Sequence, residues 1–329
     1  MAQSERTPGG LAIEARELHK TYPGGVTALD GVSLAVAAGT VFGLLGPNGA
    51  GKSTTVKLLS TLSQPTTGTA TVAGHDIVRH PERVRRSIGV VGQRSAADAS
   101  ATGRENLHLQ GRLFALGDRA VRDRADALLA QFDLTEAADR IVRTWSGGMR
   151  RKLDVAMGLV NRPQVLFLDE PTTGLDPDAR VQLWAEIARL TDDGVTVLLT
   201  THYLDEADRL AERLAIVDRG RIVAEGTPEA LKSELRGDAI HIELSTSDGG
   251  PAAAAALTRV DGLASPTFDG RRVTARADRA ASRVPAVLSA LESAGVSVAA
   301  LTVARPSLDD VYHRHTGRAY RPDALEAAR

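Results

Sequence analysis

The segment Gly46 to Ser53, GPNGAGKS, is the part of this chain best suited to hold an anion. Gly46, Gly51, Lys52 and Ser53 stand at the spacing of a Walker A loop, with Pro47, Asn48, Gly49 and Ala50 between them and Thr54 following. Glycines let main-chain N–H groups turn inward around phosphate oxygens. The following helix aims its positive N-terminal end at the same anion, and Ser53 can ligate Mg²⁺. The alternative is a glycine turn that leads into a helix and binds nothing. Lysine usage favours the phosphate reading, because Lys occurs only at positions 20, 52, 57, 152 and 232 while Arg supplies the other fixed positive charge. A compact ammonium that must reach β- and γ-phosphates is not interchangeable with a guanidinium.

Two further positions complete a possible chemistry. Val165 to Glu170 is an apolar run ending in Asp169 and Glu170, followed by Pro171. Taken alone it reads equally well as a buried strand emerging into an acidic turn. Behind a phosphate-binding loop in the same core it becomes a Walker B strand, with Asp169 holding Mg²⁺ through water and Glu170 polarising the attacking water. His202 follows a second apolar strand, Val195 to Thr200. A lone histidine is usually structural or exposed, but beside the other motifs it reads as a contact to the γ-phosphate. The set implies binding and hydrolysis of MgATP.

These groups need rigid mounts. From Leu11 to Leu45, short alternating segments between glycine turns predict an antiparallel sheet feeding a buried strand. Lys52 to Leu62 is helix-compatible, so strand, loop and helix follow in the order a phosphate-binding loop requires. Between Gly103 and Val160 the pattern turns to amphipathic helices, with Leu109, Leu113 and Leu116, then Ala125, Leu128, Leu129 and Phe132, at helical spacing. Strand and helix alternate again from Val165 to Asp218, predicting a doubly wound α/β core. After a helix from Pro228 to Leu235, the order βαββαβ between Ala239 and Ala304 suggests a small ferredoxin-like α+β domain. The expected divisions are a disordered arm over 1–10, a cassette over 11–236 with its helical subdomain at about 97–160, an accessory domain over 237–317 and a tail over 318–329.

Composition constrains the partners. The 40 Lys+Arg against 41 Asp+Glu leave a formal net charge of -1, which gives no global attraction to nucleic acid or anionic lipid. Without cysteine there is no disulfide framework, thiolate metal site or cysteine nucleophile. No apolar run approaches the roughly 18 residues of a membrane-spanning helix, so a membrane role would require a partner.

Trp145 to Met149, WSGGM, opens a helix continuing through Arg150, Arg151, Lys152 and Leu153. Alone it is adequately explained as a capped helix start. It resembles the LSGGQ signature of the ATP-binding cassette (ABC) family, and that family's other elements occur in order over about Leu11 to Leu235. The resemblance implies that Tyr22 stacks on adenine, that Gln93 is the Q-loop residue reaching the nucleotide and its Mg²⁺, that Gly174 to Pro177 form the D-loop with Asp176 near the nucleotide, and that His202 is the switch histidine. It also implies two cassettes paired head to tail, so that ATP on Lys52 of one copy meets Ser146, Gly147 and Gly148 of the other. Trp145 stands where Leu is usual, Met149 where Gln is usual, and Gly92 where Pro commonly precedes Gln93.

The run WSGGMRRKL is similar to the YSGGMRRRL of ATPase subunits like that of the daunorubicin-resistance exporter, and the ending PSLDDVYHRHTG, Pro306 to Gly317, resembles the same group. That ending also reads as an ordinary amphipathic helix capped by Ser307, with Asp309 and Asp310 near its positive end. The resemblance implies a peripheral ATPase on the cytoplasmic face of the cell membrane, a homodimer serving separate integral membrane permease subunits, and export of a small hydrophobic compound such as a drug or antibiotic. The alternative is a soluble single-cassette ATPase acting in assembly or regulation.

Overall fold

The computed structural model describes residues 10–235 and 237–320. The expected arm, except Gly10, and the tail beyond Tyr320 lie outside the described residues, as does Arg236. The chain divides into two compact units between Thr227 and Pro228. That division precedes the helix Pro228–Ser233, which the sequence pattern alone groups with the first unit. Its Leu231 is buried, and its partner is the helix Leu308–Thr316 of the second unit.

The first unit holds two sheets. One is antiparallel, in the order Thr27–Ala37, Leu11–Thr21, Thr67–Val72, His75–Asp76. The other has six strands, in the order Arg221–Gly226, Arg213–Asp218, Val41–Leu45, Thr196–Thr201, Val165–Asp169, Ile88–Val91. Its strands pair in parallel apart from the antiparallel edge strand Arg221–Gly226. Strands covered on both faces read as continuous apolar runs rather than alternating ones. Within Val165–Asp169 this is literal: Leu166 and Leu168 enter one hydrophobic core, while Val165 and Phe167 enter the other.

The second of these cores joins the antiparallel sheet to the helix Lys52–Leu59 and one face of the six-stranded sheet. This helix ends three residues earlier than the sequence suggests, because Thr61 takes a left-handed conformation (φ 63°) and closes it. The first core carries the helices Gly103–Leu113, Asp118–Gln131 and Gly147–Gly158 and the long helix Pro177–Asp192. Here the expected apolar stripe differs. Leu109 and Leu113 are 57% and 73% exposed, and the Gly103–Leu113 helix instead buries Leu107, Asn106 and Gly111. The close approach explains the choice of face: a Cβ at Gly111 would lie 2.9 Å from Val121 Cγ2 of the neighbouring helix, so glycine rather than leucine faces the bundle.

The second unit runs Asp238–Leu244, helix Gly250–Leu257, Ala264–Asp269, Arg272–Ala277, helix Val284–Ser293, Val298–Ala304, the βαββαβ order read from the sequence. Its four-stranded antiparallel sheet places Asp238–Leu244 between Arg272–Ala277 and Val298–Ala304. Ile240, Ile242, Val273 and Ala275 form a core with Leu257, Val287 and Leu291 of the two helices. The terminal helix Leu308–Thr316 has a capping box of Ser307 and Asp310 and stops at Gly317 (φ 70°). Asp310 also meets Arg276 Nη2 at 3.1 Å, which fixes the helix to the sheet. Among the described residues no helix is long and apolar enough to cross a membrane.

Candidate functional site

The glycine-rich loop from Gly46 to Gly51 leaves the buried strand Val41–Leu45 and enters the helix Lys52–Leu59. Two of its glycines are required by close approach. A Cβ at Gly46 would sit 2.2 Å from Val217 O, and Gly51 combines φ 111° with only 2.7 Å to Ala28 O. The turned loop faces a cleft of about 440 Å³ lined by Tyr22, Asn48, Gly49, Gly51, Lys52, Ser53, Thr54, Gln93 and Glu170. Residues distant in sequence are thus gathered around one helix N-terminus.

Lys52 is 3% exposed, and its Nζ donates to Gly46 O at 2.7 Å and Pro47 O at 3.0 Å. Burial pushes its ammonium below the usual lysine range, against the opposing pull of Glu170, whose Oε1 lies 3.5 Å away. Ser53 Oγ donates to Asp169 Oδ1 at 2.9 Å, and Thr200 Oγ1 donates to the same oxygen at 2.6 Å. The loop, the Val165–Asp169 strand and the Thr196–Thr201 strand therefore converge on one carboxylate.

Glu170 is 7% exposed and sits in left-handed backbone, φ 49°, a conformation that costs energy in a non-glycine residue and that rigid surroundings must hold. Its Oε2 is 3.1 Å from His202 Nδ1 and accepts from Thr173 Oγ1 at 3.3 Å. Burial raises the Glu170 carboxyl, but the His202 hydrogen bond and the Lys52 charge outweigh it and leave the group below the ordinary carboxylate range. The carboxylate is therefore ionised, with an ammonium on one side and an imidazole on the other.

Four sequence-predicted residues lie away from this cleft. Ser146 caps the Gly147–Gly158 helix, accepting from Met149 N at 3.2 Å, with Gly147 and Gly148 in that helix's first turn. Asp176 caps Pro177–Asp192, accepting from Ala179 N at 2.8 Å. Ser146 and Gly147 are exposed, so the first of these helix starts lies at the surface of the chain. Trp145 is buried, and the helix start at Gly103 has no side chain in its way; a Cβ there would lie 2.4 Å from Trp145 Cη2.

Four further contributors carry no motif signal in the sequence. Thr200 carries no motif signal beyond ending an apolar strand. Thr27 and Ala28 line the cleft only because the antiparallel sheet is folded against the loop. Arg151 belongs to the basic run after the glycines, yet it is 8% exposed and donates to the main-chain oxygens of Gly92 and Pro171 at 2.7 and 2.6 Å. An apolar period on its helix would have been the only hint.

Comparison with known proteins identifies the family. The ABC transporter family matches residues 29–173, and the family described as ATP-binding protein DrrA1-3-like, C-terminal domain, matches residues 226–316. The daunorubicin resistance ATP-binding protein DrrA2 of Streptomyces coeruleorubidus is 48% identical over 97% of this chain and 99% of its own length. The Nod factor export ATP-binding protein I of Ralstonia nicotianae is 45% identical over 70% of this chain and 72% of its own. A dimeric ATP-binding cassette solved in a post-hydrolysis state with ADP and Pi superposes with a TM-score of 0.60 at 27% identity, covering 65% of this chain and 98% of that one. This chain belongs to the ABC transporter family, among the ATP-binding, ATP-hydrolysing subunits related to the daunorubicin-resistance proteins.

Proposed function

We propose that this chain powers export of a small hydrophobic compound, such as a drug or antibiotic, through separately encoded membrane permease subunits, working as a homodimer at the cytoplasmic face of the cell membrane. The observation that carries this reading is the exposed Leu109 and Leu113 pair, four residues apart on one helix of the subunit that also binds ATP. Exposed apolar patches beside polar surface mark docking sites, and the names of the drug-resistance and Nod factor relatives support transport. A soluble assembly ATPase is the less favoured reading because those relatives are export or resistance subunits.

The residues support the following roles. Lys52 binds the β- and γ-phosphates, and the loop from Gly46 through Pro47, Asn48, Gly49, Ala50 and Gly51 to Thr54 cradles them with N–H groups. Tyr22 stacks on adenine. Glu170 accepts a hydrogen bond from the attacking water and polarises it, and His202, already against Glu170 Oε2, holds that carboxylate and reaches the γ-phosphate. The hydroxyl of Ser53, the carboxylate of Asp169 and the amide of Gln93 form a hard-oxygen donor set that suits Mg²⁺ arriving on phosphate. The cation, when bound, neutralises charge developing on the transferred phosphoryl group. Ser146, Gly147, Gly148 and Asp176 serve the site of a second copy, since a helix N-terminus exposed in one chain can meet the phosphates held by another.

The division into cassette and accessory domain is read the same way: residues 228–317 form a regulatory or dimer-stabilising unit, supported by their own core and the absence of a catalytic set among their described residues. Truncation after Thr227 tests that role; unchanged dimerisation and transport would remove it. The export reading is tested by affinity capture from detergent-solubilised membranes of the native host. Recovery of an integral membrane partner, lost on Leu109→Asp with Leu113→Asp, is the expected result. Consistent recovery of soluble partners alone would reverse it.

A further inference from the structure

Lys20 stands one residue before the end of the strand Leu11–Thr21, in a chain that carries most of its fixed positive charge on Arg. Its Nζ donates to Gln64 O at 2.7 Å and lies 5.0 Å from the centre of the Tyr22 ring. Tyr22 lines the cleft and Lys20 does not, so the ammonium backs the ring from outside the cleft. The carbonyl that Lys20 holds belongs to the segment leaving the helix Lys52–Leu59, where Leu62 N and Ser63 N donate to Lys57 O at 2.8 and 3.0 Å. One side chain thereby connects the aromatic wall of the cleft to the far end of the helix whose start, at Lys52, Ser53 and Thr54, lines the same cleft.

The main chain around the ring is lightly held. Tyr22 opens a tight turn, with Tyr22 N donating to Val26 O at 2.9 Å and Gly25 N to Tyr22 O at 3.1 Å. Pro23 to Thr27 are exposed, and the pairing of the two strands shifts register between Lys20 and Thr21. A turn with few buried contacts opens at low free energy, so the direction of the ring depends on what touches it. The plainer account of Lys20 is that it only ties two surface segments together. Neutral groups already do that: Thr66 N donates to His19 O at 2.8 Å, and Thr21 N donates to Thr66 Oγ1 at 3.0 Å. What an ammonium adds is attraction to an aromatic face, which favours one placement of the ring.

We propose that Lys20 is a positioning residue for nucleotide binding: its ammonium, anchored on Gln64 O, fixes the Tyr22 ring relative to the helix Lys52–Leu59, so that the base and the phosphates of one nucleotide are met together. The proposal rests on the reading above that Tyr22 stacks on adenine.

The test uses the full chain carrying Lys20→Met, Lys20→Arg, Tyr22→Leu, or Lys20→Met together with Tyr22→Leu. Calorimetric titration with MgAMP-PNP, a non-hydrolysable ATP analogue, gives affinity, and ATP turnover gives kcat and KM. Lys20→Met keeps the apolar stem and drops the cation, so affinity falls by about three- to fivefold, KM rises in step and kcat stays within about twofold. Lys20→Arg brings affinity back to within about twofold of the parent, because a guanidinium also lies over aromatic faces and donates to a carbonyl. Tyr22→Leu weakens binding by about tenfold through the lost stack. Since Lys20 acts through the ring, adding Lys20→Met to Tyr22→Leu weakens binding by less than about 1.5-fold more. Unchanged affinity in Lys20→Met beside a weakened Tyr22→Leu overturns the positioning role, as does a fall in kcat at unchanged KM. A full further loss in the double variant also overturns it, since the ammonium then acts on the nucleotide without the ring. Unchanged affinity in Tyr22→Leu defeats the stacking reading instead.

Discussion

Glu170 Oε2 and His202 Nδ1 stand 3.1 Å apart, each nearly buried, at the ends of the adjacent parallel strands Val165–Asp169 and Thr196–Thr201. The contact is set by strand register rather than by either side chain: Asp169 pairs with Thr200, so the residues that follow emerge together at the same end of the sheet. Glu170 N also donates to Thr200 O and to Thr200 Oγ1, both at 3.1 Å, which anchors the turn. An ionised carboxylate held between Lys52 and His202 is equipped to act on water.

Replacing that carboxylate separates binding from turnover. Glu170→Gln keeps shape and hydrogen-bonding capacity but removes the base, so ATP turnover falls by about 10²- to 10⁴-fold. Analogue affinity stays within about threefold, which is under 1 kcal/mol. Near-normal phosphate release would take the role away from Glu170.

The meeting of Ser53 and Asp169 at 2.9 Å predicts a strict cation requirement. Chelating Mg²⁺ with EDTA, or making Ser53→Ala, lowers turnover by about 10²-fold or more, since charge neutralisation at phosphate is worth several kcal/mol. Melting of the nucleotide-free protein stays unchanged with EDTA. A melting shift in that control would point to a structural ion.

Gly46→Ala tests the close approach of the loop to the Arg213–Asp218 strand. A Cβ 2.2 Å from Val217 O meets backbone, not a movable side-chain end, so one of the two segments must shift. Urea unfolding should show a loss of about 1–3 kcal/mol. ATP-analogue affinity should fall as well, because Lys52 Nζ is held by the carbonyls of Gly46 and Pro47. Undiminished stability and affinity would show that the loop relaxes freely.

Glu206 gives a prediction in pH. It is 0% exposed, and one of its oxygens accepts from Thr172 Oγ1 at 2.7 Å and Trp184 Nε1 at 2.8 Å. Burial pushes its carboxyl up, against hydrogen bonds from Thr201, Thr172 and Trp184 that pull it down. With the folded value above the unfolded one, the unfolded chain loses its proton first as pH rises. Stability therefore declines from the ordinary carboxylate range up through the raised value and stays reduced above it. Glu206→Gln keeps an acceptor for Thr172 and Trp184 without the charge. Its melting temperature should exceed that of the parent by about 2 °C or more at about pH 8, with the gap closing near pH 4. A variant less stable than the parent at about pH 8 but equal to it near pH 4 would mean that the charge itself is needed there.

The phosphate-binding loop, the two carboxylates, His202 and the alternation of strands and helices were legible because each rests on local pattern. Glycine spacing, an apolar run of strand length and an acidic strand end are properties of contiguous residues. Local pattern also marked Ser307 and Asp310 as the start of the last helix, a capping box within four consecutive residues. Leu109 and Leu113 show the limit of that approach. Helical periodicity finds an apolar stripe but not what covers it, and in this bundle Gly111 against Val121 decided which face turns inward.

By itself, then, the sequence determined the glycine-rich loop between strand and helix, the acidic strand end and the order of elements, since these depend on neighbours along the chain. Tertiary structure alone decided that Thr200 braces Asp169 and that Glu170 lies between Lys52 and His202. It also decided that Arg151 reaches Gly92 and Pro171 from a helix that begins at Gly147. Those contacts join residues tens of positions apart, and their distances follow from strand register and helix packing, which no local spacing encodes.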